Sequence, residues 1–451
     1  VRTGIRSLVV SLVSVVVALV TVIAPAAKAA PAESWAQYQG NAAHTGVDPL
    51  EHTLNVGNVS GLTLSWVGRV PGNLDWTSPV ITGGNVYIAG GDAGLVVFPQ
   101  AGCGASTCDP SWLGQTGPQA EATPAVADGL VYLTSQTSRH SNHGRLNVFD
   151  ATGCGAAVCQ PLWQGIGPDQ SFGVTSPAVS DGVVYVGSYD GNIYAFDASG
   201  CGRPKCPALW SGHVGEHVNS SPAVANGVVY AGSGIGHATF AAFDAAGCGA
   251  KACDPLWTAP LGKGSDIGSP SVAGGKVFVT DGRFLNAFDA SGCGAAVCLP
   301  LWKGPAKITG NTPAVYRGVV YVDAQPFRDH FTSLGVVEAF DADGCGQDRC
   351  KPLWTGINFS NAPESSPVIA NGVVYIGKGP ASGFPVDSGV FSYAAAGCGK
   401  KVCPPLGFAQ TGEQQFYLAS SPAVVDGHVY MGSTDTPTNQ AGLYVWSLPE
   451  G

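Results

Sequence analysis

Cysteine is the first residue type here whose number and spacing could do chemistry. Fourteen cysteines fall into seven pairs, each five residues apart: Cys103/Cys108, Cys154/Cys159, Cys201/Cys206, Cys248/Cys253, Cys293/Cys298, Cys345/Cys350 and Cys398/Cys403. Thiolate pairs can hold zinc, but zinc ribbons space them C-x2-C and add a second pair or histidines at a fixed distance. Here the spacing is C-x4-C and no histidine accompanies it. In an oxidising compartment the same even set reads as seven local disulfides. Histidines occur elsewhere: His140 with His143, His213 with His217, and His237 and His330 alone. A metal centre would need three or four of them to converge, so the plainer reading is exposed loop histidines and no metal. There is no C-x-x-C-H haem site, no G-x-S-x-G elbow, no oxygen-rich calcium loop and no evident carboxylate pair for glycoside hydrolysis.

The start of the chain points to that oxidising compartment. Arg2 and Arg6 precede an uncharged apolar run from Leu8 to Ile23, then Pro25 and the small-residue stretch Ala27-Lys28-Ala29. This is the order of a secretory signal, with cleavage expected after residue 29, and the run is short for a membrane anchor. The expected location is secreted, extracellular or in the cell envelope, with no membrane span left after cleavage. Apolar residues make up 45% and charged residues 12%, which permits a large core. A net charge of -10 argues against a nucleic-acid partner, whose phosphates demand a basic face.

The cysteine pairs sit inside a larger repeat. "FDASGCGRPKCPALW" (196–210) recurs with few changes, and each copy follows a Ser-Pro or Thr-Pro, with prolines at 79, 124, 177, 222, 270, 313, 367 and 422. Spacings of this size mean an array, and ~40–50 residues is the propeller range. Each unit reads as four short strands: A (S-P-A-V), B (V-V-Y-x-G-S), C (I-Y-A-F-D-A) and D (P-L-W), with Asp181-Gly182 or Asn226-Gly227 as the A–B hairpin turn. The cysteine phrase is then the C–D hairpin, and each disulfide is expected to tie the two outer strands of its own blade. The motif is structural on this reading, repeated because the blade is repeated. The A–B–C set occurs eight times. The seventh unit has Gly407 at the tryptophan position, where Phe408 is expected to substitute, and the eighth ends without a D strand. The missing strand stands before the first A strand, as "LTLSWVGRV" with Trp66. The expected fold is all-β: an eight-bladed β-propeller of four-stranded blades, closed by an N-terminal strand that leaves no open edge. The expected organisation is a signal over 1–29, a strap over 30–61 and the propeller over 62–451.

The unit "VVYVGSYDGNIYAFDA…LW" resembles the PQQ-like repeat of quinoprotein β-propellers. Ala195, Asp197, Gly200 and Trp210 look like that family's tryptophan-docking pattern, with a cysteine hairpin inserted between glycine and tryptophan. Ser34 to Gly46 looks like the strap that precedes such propellers. The resemblance implies the fold more than an activity, since the fold hosts quinone-dependent dehydrogenases, assembly scaffolds and binding proteins. Quinone enzymes of this type hold the quinone against a disulfide of adjacent cysteines and bind Ca²⁺. This sequence has no Cys-Cys dipeptide.

Comparing copies within the chain locates a working face. The A–B turns and C–D hairpins are short and constant, whereas the B–C and D–A loops vary widely, and function concentrates on variable loops over a rigid scaffold. Of ten tryptophans, seven lie in D strands, but Trp76 stands beside Asp75 in a D–A loop, where it could stack on a sugar or a peptide. Glu216, His217, Asn219, Asn361 and Glu364 are similarly placed. The expected role is non-catalytic binding or scaffolding by a monomer that recognises a protein or glycan at the cell surface, without a cofactor. A quinone oxidoreductase using PQQ with calcium is the alternative, and a glycan-degrading enzyme the third.

Overall fold

The computed structural model describes residues 1, 34–74, 76–138, 141–167, 172, 175–234, 237–262, 267–305, 310–324, 335–357, 365–378, 388–412, 420–435 and 440–449. The expected signal peptide therefore lies outside the described residues. Residues 33–451 form one compact unit. Among the described residues, no helix is long and apolar enough to cross a membrane.

Eight sheets each hold four antiparallel strands in the order A–B–C–D, and six of them gain a fifth strand paired in parallel. Blade 3 illustrates the unit: Ala178–Ser180, Val183–Gly187, Asn192–Asp197 and Trp210–His213. Its A–B turn places Asp181 and Gly182 at φ 51° and 77°, the two positive values that a two-residue hairpin turn matching strand twist requires. The A strands of successive blades touch one another around the whole circle, and blade 8 returns to blade 1. Blade 8 takes its D strand from Thr63–Val70, which pairs antiparallel with Gln440–Ser447. The fold is thus the eight-bladed propeller, closed by the N-terminal strand.

Most recurring residues make a recurring contact. The first hydroxyl of T-S-P or S-S-P ties A to B within a blade, as where Gly187 N–H donates to Thr175 Oγ1 and Gly232 N–H to Ser220 Oγ. The second hydroxyl ties blade to blade. Backbone N–H groups of Ser78, Thr123, Ser176, Ser221, Thr312, Ser366 and Ser421 each donate to the equivalent oxygen of the next blade, at 2.8–3.1 Å. These seven bonds form a belt around the channel that the A strands line. Farther out, the strand-B tyrosine of five blades reaches the Ala carbonyl just past strand C of the next: Tyr87 to Ala151, Tyr132 to Ala198, Tyr185 to Ala245, Tyr230 to Ala290 and Tyr321 to Ala395. Blade 5 has Phe278 instead, and there Trp302 Nε1 supplies the bond to Ala342 O. Buried polar groups demand such partners.

The disulfides form as expected, but their place in the blade needs correction. All seven pairs are bonded locally, and no cysteine is free. The first cysteine of each pair is exposed. The second is not: Cys108, Cys159, Cys206, Cys253, Cys298, Cys350 and Cys403 are all buried. These seven are core residues, and do not simply tie strands C and D of their own blade. Each shares a hydrophobic cluster with the tryptophan of the preceding D strand: Cys108 with Trp66, Cys159 with Trp112, Cys206 with Trp163, Cys253 with Trp210, Cys298 with Trp257, Cys350 with Trp302 and Cys403 with Trp354.

The physical reason is a parallel pairing between blades. Cys108, Cys159, Cys206, Cys253 and Cys403 lie opposite Gly68, Gly114, Gly165, Gly212 and Gly356 of the preceding D strands. Cys298 and Cys350 donate their N–H groups to Thr258 O and Lys303 O at 2.8 Å. That pairing draws the second sulfur inward, where it packs as a small apolar group. In the same place Gly200, at φ +84°, faces the Trp163 ring, and a Cβ there would lie 3.0 Å from it. Each staple therefore holds a cap over its neighbour's outer edge, the position where a sheet is open to mispairing.

Blade 7 receives no such cap, because blade 8 has no cysteine hairpin. The 3-10 turn Val59–Gly61 lies there instead, and a Cβ on Gly407 would come within 2.9 Å of Ser60 Cα. Phe408 does not replace the missing tryptophan. It stacks on Phe391 of its own sheet, with ring centroids 4.2 Å apart, and Trp446 of blade 8 donates from Nε1 to Gln410 O.

Candidate ligand-binding face

The strap marks one of the two faces of the ring. Residues 35–51 run around the ring and meet the blades in order. Trp35 exchanges backbone bonds with Ile81, and Ala36 O accepts from Val126 N–H. The Gln37 amide bonds both the N–H and the C=O of Val179. Ala42, Ala43, Thr45 and Gly46 carbonyls accept from Val224, Val272, Val315 and Ile369, and Glu51 takes the Gly427 N–H of the last A–B turn. In blades 2 to 7 the bonded residue stands two positions after the repeat proline, on the A–B side of the hydroxyl belt. The strap therefore lies toward the constant face, leaving the D–A and B–C loops at the other mouth.

One strap residue turns back toward that mouth. Tyr38 Oη lies 3.0 Å from Thr312 Oγ1 and 3.1 Å from Ser366 Oγ, two hydroxyls of the belt. Its ring meets His44 edge-on at 5.2 Å. His44 is fully buried, with Nδ1 3.1 Å from Pro270 O, and burial lowers its pKa to about 4, so it is neutral at pH 7.

Nine of the ten tryptophans are buried, and Trp76 alone is 45% exposed. It stands two residues before the belt's Ser78, so its Cα lies within about 7 Å of the belt backbone. Three blades away, His217 packs its ring edge-on against Tyr189 at 5.7 Å, while its N–H donates to Ser233 Oγ. Burial raises the Tyr189 pKa, and the Glu121 carboxylate adds to the shift. Glu216 is exposed and Asn219 half-buried beside them. The structure thus brings His217, Glu216 and Asn219 to one loop with Tyr189, and sets Trp76 on a different part of the same mouth. Asp75, Asn361 and Glu364 lie outside the described residues.

Sequence reasoning overlooked Tyr38, Glu121 and Tyr189. Tyr189 was open to internal comparison, since the blade 4 counterpart after V-V-Y-x-G-S is Gly234. Tyr38 was not, because nothing local says that a strap residue reaches across to blades 6 and 7. Also unforeseen is a buried ion pair between those blades, in which Lys378 Nζ bonds both Asp323 oxygens at 2.6–2.7 Å. Burial lowers the Lys378 pKa, opposed by the Asp323 charge.

The family model described as outer membrane protein assembly factor BamB matches residues 143–251. Quinohemoprotein alcohol dehydrogenase from Comamonas testosteroni is similar in structure, with TM-score 0.66 and 14% identity over 93% of this chain and 82% of that one. A europium-containing methanol dehydrogenase has TM-score 0.66 and 12% identity over 92% and 98%. BamB from Moraxella catarrhalis has TM-score 0.56 and 15% identity over 86% and 98%. No curated protein matches by sequence. The chain is an eight-bladed β-propeller, similar to PQQ-type repeats over residues 143–251. These likenesses extend over the ring and cover both redox enzymes and an assembly factor, so the PQQ-like fold leaves the activity to be argued from the mouth.

All fourteen cysteines are used in the C–D hairpins, so the propeller has no adjacent-cysteine disulfide. Among the described residues, no three His, Cys, Asp or Glu side chains converge to hold a metal ion.

Proposed function

We propose that this chain is a secreted, non-catalytic binding or scaffold propeller whose ligand meets the D–A/B–C mouth. The exposure of Trp76 carries this reading. A fold that buries nine of its ten tryptophans leaves one at the end of the channel that the strap does not occupy. An indole offers a large rigid surface at small entropic cost, and exposed aromatics on a loop rim are the groups by which propellers and other rigid scaffolds take hold of ligands. The seven disulfides suit an extracellular setting.

The test is twofold. Purified protein incubated with PQQ and Ca²⁺ should not reduce an electron-accepting dye with alcohols or sugars. Ligands captured from an extracellular glycan and protein panel should be lost on Trp76→Ala and kept on changes in the cysteine hairpins. Substrate-dependent dye reduction would favour the quinone oxidoreductase instead.

A further inference from the structure

The belt beneath the mouth holds unspent hydrogen-bonding capacity. Ser78, Thr123, Ser176, Ser221, Ser269 and Ser421 each accept a backbone N–H at Oγ or Oγ1. A hydroxyl also carries one donor hydrogen. None of these six has an acceptor for it among the described residues, and each is more than nine-tenths buried. They lie at the start of the innermost strands, in the same belt whose Thr312 and Ser366 meet Tyr38. A buried donor without an acceptor is costly, which favours an oxygen-rich partner in the channel.

The charge around them narrows the class. The groups at the channel floor are neutral: hydroxyls, the Tyr38 phenol and the uncharged His44 ring. The rim carries both signs: Glu121 and Glu216 among the described D–A residues, Arg283 in the blade 5 B–C turn, and Lys263 and Lys307 in the D–A stretches of the sequence. An anionic ligand would meet carboxylates at the rim and no counter-charge among the floor groups. A cationic ligand would meet no counter-charge at the floor, where burying a charge is expensive. A neutral, hydroxyl-bearing ligand with a flat apolar face meets neither objection. Sugars have that combination, with axial C–H groups to lie on an indole and hydroxyls for the belt.

Resting on the binding reading above, we infer that the mouth holds the end of a neutral oligosaccharide, stacked on Trp76 and hydrogen-bonded below by the hydroxyl belt and Tyr38.

The experiment is isothermal titration of the full-length secreted protein with neutral tetrasaccharides of the gluco-, manno- and N-acetylglucosamine series. Tetragalacturonate and tetralysine are the charged comparators. At least one neutral tetrasaccharide should bind with a dissociation constant below the millimolar range and more tightly than either comparator. Trp76→Ala should weaken it roughly tenfold. Tyr38→Phe, which keeps the ring and removes the hydroxyl, should weaken it by several-fold. Thermal melting of both variants separates lost binding from lost folding. The inference is overturned if no neutral tetrasaccharide binds, if Trp76→Ala and Tyr38→Phe leave binding unchanged, or if a charged comparator binds best. A charged ligand lost on Trp76→Ala would end the glycan assignment but keep the binding reading. PQQ-dependent dye reduction would end both.

Discussion

Gly407 sits against Ser60, so close that a Cβ on Gly407 would approach Ser60 Cα to 2.9 Å. This contact joins two exceptions in the repeat: the one D strand without tryptophan and the one outer edge without a cysteine hairpin. The N-terminal segment fills both places. Gly407→Trp, which restores the repeat, should therefore destabilise the protein by about 1–3 kcal/mol through overpacking. Chemical denaturation measures it, and a gain in stability would mean that residues 58–62 do not hold this edge.

Residues 62–70 complete blade 8. Their deletion should leave strand Gln440–Ser447 with an unpaired edge and drive aggregation, visible by size-exclusion chromatography. A truncated protein that stays monomeric with an unchanged melting temperature would refute the closure.

Cys201→Ser with Cys206→Ser should act on the neighbouring blade. Gln164 N–H of blade 2 donates to Pro204 O inside this hairpin at 2.8 Å. Amide exchange at Gln164 should accelerate, while global stability falls by roughly 2 kcal/mol, because the closed loop is short. Slowed or unchanged exchange there would show that the hairpin does not need its staple to cap the edge.

Glu338 is buried on strand C of blade 6, and desolvation raises its pKa to about 7. The folded state then holds a proton that the unfolded chain releases near its ordinary value of 4.5. Stability from this group is fully present below that value and falls as pH rises through about 7, by about 3 kcal/mol. Glu338→Gln should flatten the pH dependence of unfolding between those limits. An identical slope in wild type and variant would exclude the group as its source.

His44 works in the opposite direction. Its folded pKa is lowered from 6.5 to about 4, so its contribution is present above 6.5 and lost as pH falls toward 4. His44→Asn should remove a loss of about 3 kcal/mol across that interval. Urea unfolding at a series of pH values is the measurement, and an unchanged acid limb would count against this residue.

The repeat phrase by itself specified strand order, blade number, disulfide partners and ring closure. Each depends on patterns of short range, such as alternating apolar residues, a turn that needs two positive φ values, and cysteines five apart. A repeated unit also makes its own comparison, so Gly407 and the absent final D strand stood out without any structure. What the tertiary structure decided are relations between units. The hairpin buries its second cysteine against the blade before it, the serine belt closes across neighbours, and residues 35–51 touch the blades in turn. None of these has a local signature, because each partner is set by how the ring brings distant segments together. Trp76 shows the same division. Its type and loop were legible in the sequence, but its exposure was not, since burial is a property of what surrounds a residue once the chain has closed.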